Sequence, residues 1–197
     1  MKSSMKNIII TWNSKWIGKY LFDYLKQENN VLWFSRENWY DLTNIEDIKK
    51  IDIEWILDMI ILNAWVWEFW KFEDNSIESY ENIINLNLLW NIRILKKLEK
   101  NLDKNTKIIF IWSIISKKFM KNAAVYQASK FGLRWFAWWL KDEWKKVFLI
   151  NPKIVETGFH DWKIELDKRF RETKLEDILE NINNIIIWIE KRFEIDL

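Results

Sequence analysis

Short, almost wholly apolar runs alternate along this chain with longer segments whose apolar residues recur every three or four positions, the signature of strand–helix units that build a parallel sheet. Asn7 to Ile10 predicts a first strand, and Trp16 to Gln27 a helix with Ile17, Tyr20, Leu21 and Leu25 on one face. Val31 to Phe34 predicts a second strand, Tyr40 to Leu42 a short third, and Asp47 to Lys50 the start of a short helix. Ile56 to Leu62 is nearly continuous in apolar residues, as a strand covered by helices on both faces requires. Ile77 to Leu102 predicts one or two helices, Lys107 to Trp112 a strand, Ala124 to Lys145 a long helix, and Val147 to Asn151 a strand stopped at the single proline, Pro152. Leu175 to Arg192 reads as an amphipathic helix and Phe193 to Leu197 as a closing edge strand. No repeat, low-complexity tract or linker interrupts the alternation. The expectation is one domain over residues 1–197, a doubly wound α/β fold with helices on both faces of a parallel sheet.

Composition changes this picture at one point. Sixteen tryptophans stand against three glycines, where about 7% glycine is ordinary and tryptophan is among the rarest residues. The two anomalies become one if UGA encodes glycine in this gene, as in some bacterial lineages, and the chain was written with a table that reads UGA as tryptophan. Together the two residue types number nineteen, about 10% of the chain, an ordinary glycine content for a nucleotide binder. The literal tryptophan polypeptide is the alternative, and codons or an intact mass would separate the two.

The turn after the first strand shows what is at stake. It reads Thr11-Trp12-Asn13-Ser14-Lys15-Trp16-Ile17-Gly18, and with glycine at 12 and 16 becomes Thr-Gly-x-x-x-Gly-Ile-Gly. A strand, a glycine turn and a helix entering at the last glycine form a cradle for a pyrophosphate on a helix N-terminus. The pattern resembles the short-chain dehydrogenase/reductase family, and so makes the fold Rossmann-like. Ser35-Arg36 closes the second strand, where an acidic residue would accept bonds from a ribose 2′-hydroxyl and arginine suits a 2′-phosphate. Arg36, with Lys15 in the turn, favours NADP; the neighbouring Glu37 leaves NAD open. Asp41-Leu42 resembles the family's adenine-contacting step, and Asn63-Ala64-Trp65 its Asn-Asn-Ala-Gly signature, with Leu62 in place of the first Asn. Asn151-Pro152-Lys153-Ile154-Val155-Glu156-Thr157 resembles Pro-Gly-x-Val-x-Thr, which implies that Pro152, Val155 and Thr157 hold the nicotinamide carboxamide. Lys153 departs from that pattern and no codon reading restores glycine there.

Tyr126 and Lys130 are four residues apart, which places them on one face of a helix. A phenol titrates near 10 in water, and a nearby cation favours its ionised form. The resemblance implies that Tyr126 is the general acid and base, that Lys130 tunes it and binds the nicotinamide ribose, and that Ser113, thirteen residues earlier, bonds the substrate oxygen. Asn87, in Asn85-Leu86-Asn87-Leu88-Leu89-Trp90, matches the fourth position, which holds a water in a proton relay. The reaction implied is hydride transfer between NADP and a small-molecule carbonyl or alcohol. The rival reading is a nucleotide-sensing protein that keeps the fold without turnover. The family also implies a homodimer or homotetramer through the helices near 78–100 and 124–144.

Charge and cysteine content narrow the remaining classes. With 31 basic and 29 acidic residues the net charge is +2, mixed along the chain rather than blocked, which gives no footprint for nucleic acid. The absence of cysteine excludes disulfides and thiolate metal sites, no metal site is expected, and His160, the single histidine, reads as an ordinary residue of a small lid. The apolar run at Ile8 to Ile10 is too short for a secretory leader and no eighteen-residue apolar stretch occurs, so the expectation is cytoplasmic. Arg134 to Lys146 carries aromatics and cations that suit a membrane surface or single-stranded nucleic acid if read literally, and an ordinary helix end if its tryptophans are glycines.

Overall fold

Six strands hydrogen-bond into one sheet in the order β2-β1-β3-β4-β5-β8, every neighbour parallel. They are β1 Asn7–Thr11, β2 Asn30–Phe34, β3 Met59–Leu62, β4 Lys107–Ile111, β5 Val147–Asn151 and β8 Glu194–Asp196. A second, two-stranded sheet pairs β6 Ile154–Val155 with β7 Glu172–Thr173. The helices are α1 Trp16–Leu25, α2 Ile45–Lys50, α3 Ile77–Ile84, α4 Trp90–Lys97, α5 Ala124–Trp144 and α6 Leu175–Ile186. This computed structural model describes residues 5–12, 16–66, 70–117, 119–144, 146–155, 172–187 and 189–197.

The two-residue period of the strands sorts their side chains onto opposite faces. Ile9, Ile60, Ile108, Phe110 and Leu149 enter one core with Ile48 of α2, Ile94 of α4 and Leu133 and Ala137 of α5. Their sequence neighbours Ile8, Ile10, Ile61, Ile109 and Ile150 enter a second core with Leu21 and Leu25 of α1 and Ile178, Ile182 and Ile185 of α6. Burial on both faces is why these strands are apolar at every position rather than alternately. The fold is therefore the doubly wound, Rossmann-like α/β sheet.

Several boundaries differ from the sequence expectation. Tyr40 to Leu42 is not a strand: the Tyr40 amide donates to the Ser35 carbonyl and the Asp41 amide to Asp47 Oδ2, so the backbone is spent on a turn instead of a ladder. The strand expected from Ile56 starts at Met59, after the Leu57 amide has donated to the Asn101 carbonyl. The first helix stops at Leu25 and not at Gln27. The last helix stops at Ile186, because the Ile189 and Glu190 amides fold back onto the Asn184 carbonyl and the Glu190 carboxylate takes the amides of Lys191 and Arg192. The expected helix pair after Ile77 is α3 and α4 joined through a π turn over Asn85–Leu89. No helix among the described residues is long and apolar enough to cross a membrane.

Candidate active site

At the C-terminal end of β1 the Thr11 hydroxyl donates to the Ile61 carbonyl and accepts from the Asn63 amide, tying the ends of β1 and β3 together. The chain then turns at Trp12, whose φ of 53° is left-handed. Asn63 Nδ2 donates to the Trp12 carbonyl, and α1 packs so closely under the turn that a Cβ on Gly18 would lie 2.0 Å from that same oxygen. Gly18 is thus required by contact. The Ile17 side chain is buried in the second core. Lys15 lies outside the described residues, as does the side chain of Trp16.

Past β2, Ser35 is buried and Arg36 opens a short exposed 3₁₀ turn whose end, Trp39, is left-handed at φ 70°. Asp41 Oδ1 accepts from both the amide and the hydroxyl of Thr43, while Leu42 is in the core. Past β3, Ala64 is buried and its carbonyl accepts from Trp90 Nε1; Trp65 is half-buried. Pro152 and Val155 are buried at the end of β5 and in β6, and the Pro152 carbonyl accepts from the Ile114 amide. Lys153 donates its amide to Thr173 Oγ1 and is not left-handed, so the departure from glycine is accommodated without strain. Thr157 lies outside the described residues, as does His160.

The four residues of the expected catalytic set all come from segments that meet at this end of the sheet. Asn87 sits in the π turn, fully buried: Oδ1 accepts from the Val66 amide at 2.8 Å, and Nδ2 donates to the Val66 carbonyl at 2.9 Å and to Ser129 Oγ at 3.0 Å. Asn91 Nδ2 holds the Asn87 carbonyl. Ser113 is half-buried just past β4, and Tyr126 and Lys130 lie in the first two turns of α5. Lys130 is fully buried, with Nζ 3.5 Å from the ring centre of Trp112, 4.8 Å from that of Trp65 and 5.1 Å from that of Tyr126. Burial pushes the Tyr126 phenol up and the Lys130 amine well down, each toward its neutral form.

Three participants escaped the sequence reading. Trp112, at the end of an apolar strand, reads as core, yet its ring covers Lys130 and its Nε1 donates to the Lys130 carbonyl. Val66 carries no side-chain signal because it acts through its backbone. Ser129 was within reach: it lies three residues past Tyr126 on the same helix, and its Oγ donates to the Tyr126 carbonyl.

The comparisons agree with this architecture. The profile of the family described as short chain dehydrogenase matches residues 39–166, and the chain belongs to that family. It is 29% identical over 109 residues to an uncharacterized oxidoreductase of Methylorubrum extorquens; the match covers 53% of this chain and 44% of that protein, so it spans less than half of the relative's length. Its fold is similar to that of a short chain dehydrogenase family protein from Francisella tularensis subsp. tularensis SCHU S4, with a TM-score of 0.83 and 24% identity over 98% of this chain and 97% of the other. A short chain dehydrogenase from Burkholderia cenocepacia J2315 in complex with NADP gives a TM-score of 0.76 and 15% identity, covering 100% and 89%. At such identities these structures speak to the fold alone.

Proposed function

We propose that the protein is an NADP-dependent oxidoreductase that interconverts a small carbonyl compound and its alcohol. The observation that carries this reading is Lys130 packed against Tyr126 and against Trp112, the residue before Ser113, beside Asn87 bonded to Ser129, at the C-terminal end of a doubly wound parallel sheet, where such folds bind ligands. With the indoles at 65 and 112 replaced by glycine, the groove would admit a dinucleotide. Of the buried side-chain atoms left without a hydrogen-bond partner among the described residues, three lie along it: Ser35 Oγ, Asn63 Oδ1 and Lys130 Nζ. Unsatisfied buried groups call for an explanation, and a polar ligand supplies one. Thr11, Trp12 and Asn63 would line the pyrophosphate, with Gly18 letting α1 approach; Arg36 would meet the 2′-phosphate, and Lys130 the nicotinamide ribose. The bound cofactor supplies the hydride.

In this reading Ser113 orients the substrate oxygen and Tyr126 gives it a proton in reduction or withdraws one in oxidation. Lys130, charged when the ribose hydroxyls and the phenolate stabilise it, lowers the Tyr126 pKa from the raised value that burial alone imposes. Asn87 holds the far end of the proton path. The test is NADPH consumption across a panel of aldehydes and ketones. Tyr126→Phe should lower kcat by about 10² to 10⁴ and leave NADPH affinity within a factor of two or so. NADPH binding with no turnover on any substrate, unchanged by the substitution, would instead favour a nucleotide sensor. The same reading expects a dimer or tetramer through α3, α4 and α5 and a cytoplasmic setting.

The backbone supports reading tryptophan as glycine. Three non-glycine residues among those described have left-handed φ: Trp12, Trp39 and Asn122. Asparagine tolerates that region, whereas for a bulky aromatic it costs about 1–2 kcal/mol and is a genuine outlier. The Trp39 side chain offsets little of this by packing, since it is 89% exposed. With glycine at 65 and 112, the two indoles over Lys130 would give way to open space for a ligand. The intact mass of the protein made in its own host checks this: each exchange removes one indolylmethyl group. A mass matching sixteen tryptophans overturns it.

A further inference from the structure

A cavity lies at the opposite end of the sheet, where the strands begin. Lys6 immediately precedes β1, Lys107 opens β4 and Lys146 leads into β5, and together with Asp58, Asn105 and Ile186 they line a cavity of about 150 Å³. We propose that this pocket binds a phosphate dianion, either inorganic phosphate or the terminal group of a small phosphomonoester. Among the described lining residues, three lysines and one aspartate carry a formal charge of +2, the complement of a dianion.

The pocket is built rather than incidental. Lys107 Nζ is held by the Ile186 carbonyl at 2.9 Å, Lys146 Nζ by Asn105 Oδ1 at 2.9 Å, and Lys6 Nζ lies 3.6 Å from Asp58 Oδ1. Asp58 in turn is fixed by the Asn7 amide, which donates to its Oδ2 at 2.9 Å. All three lysines are half-buried, so their charges interact in a medium poorer than water. Burial pushes the Lys107 amine down and the charges of Lys146 and Lys6 push it further, opposed by Asp58. An anion between them relieves that repulsion. One water needs about 10–15 Å³ of such space, so the cavity admits a multi-atom guest. No tryptophan lines it among the described residues, and the proposal does not rest on the oxidoreductase reading.

The experiment is calorimetric titration of the full chain with inorganic phosphate and, separately, with glycerol phosphate, each against chloride at matched ionic strength. Saturable binding is expected, weakened by roughly tenfold in Lys107→Met and in Lys146→Gln and unchanged in Lys49→Gln, an exposed lysine outside the lining. Binding of both ligands assigns the pocket to phosphomonoesters, and binding of phosphate alone assigns it to the free ion. Should Lys107→Met fail to fold by circular dichroism, Lys146→Gln and Lys6→Gln carry the test. No heat beyond that of chloride, or binding lost in Lys49→Gln and untouched by the variants of the lining lysines, overturns the proposal.

Discussion

A primary amine enclosed by three aromatic rings titrates far from its value in water, and at Lys130 this has a measurable consequence for the whole chain. Its folded pKa lies well below the 10.5 of an unfolded lysine. Between those two values the unfolded chain binds a proton that the native chain does not, so stability rises with pH across that window and levels off above 10.5. Tyr126 acts in the opposite sense: its folded phenol is raised by burial above 10.0, so beyond that pH the unfolded chain loses a proton that the native one keeps, and stability falls. Urea midpoints of the cofactor-free chain with tryptophan at 65 and 112 should therefore climb as pH rises toward about 10 and then decline. Lys130→Met should flatten the climb while sparing the decline. A climb of equal slope in the variant would locate its source elsewhere.

Among the elements, α5 and β8 are joined by the densest set of charges in the described residues. Arg134 on α5 donates from Nε and Nη2 to the two oxygens of Glu194, both at 2.9 Å, while Asn151 Nδ2 and Lys117 Nζ reach Glu194 and Asp196. Burial pushes the Glu194 carboxyl up, but the bonds from Arg134, Asn151 and Lys117 outweigh it and hold the group below the usual carboxylate range. Arg134→Met should cost about 2 kcal/mol by leaving Glu194 short of its two-pronged partner, read as a lowered urea midpoint. The stabilisation should fade as pH falls below 4.5, where the unfolded carboxyl is already protonated and the native one follows. The central strands and the long helices were legible in the sequence because double-sided burial makes each central strand a continuous apolar run, whereas Tyr40 to Leu42 reads as a strand and is a turn. The ends were not, because Glu190, Asn184 and Ser35 stop or turn the chain through hydrogen bonds that leave no mark on periodicity. Asn87 was legible as a motif, but the π turn that delivers its side chain to Val66 and Ser129 has no sequence period of its own.

At the scale of the whole molecule, strand order sets what the site can be. Connections leave β1 toward β2 on one side while β3 lies on the other, so the groove opens between the ends of β1 and β3. Across that gap the backbone ladder stops at Ile10 and Ile61, and one oxygen, Thr11 Oγ1, continues the pairing by taking the Asn63 amide and giving its proton to the Ile61 carbonyl. A hydroxyl latch of this kind ties the floor of the groove to the fully buried centre of the sheet. Without it the Asn63 strand end would breathe separately. Thr11→Val keeps the shape but leaves two buried backbone groups without that partner, at about 1–3 kcal/mol. Hydrogen exchange should then report an Asn63 amide roughly ten- to a hundredfold less protected, with Ile9 and Ile60 in the sheet centre unchanged.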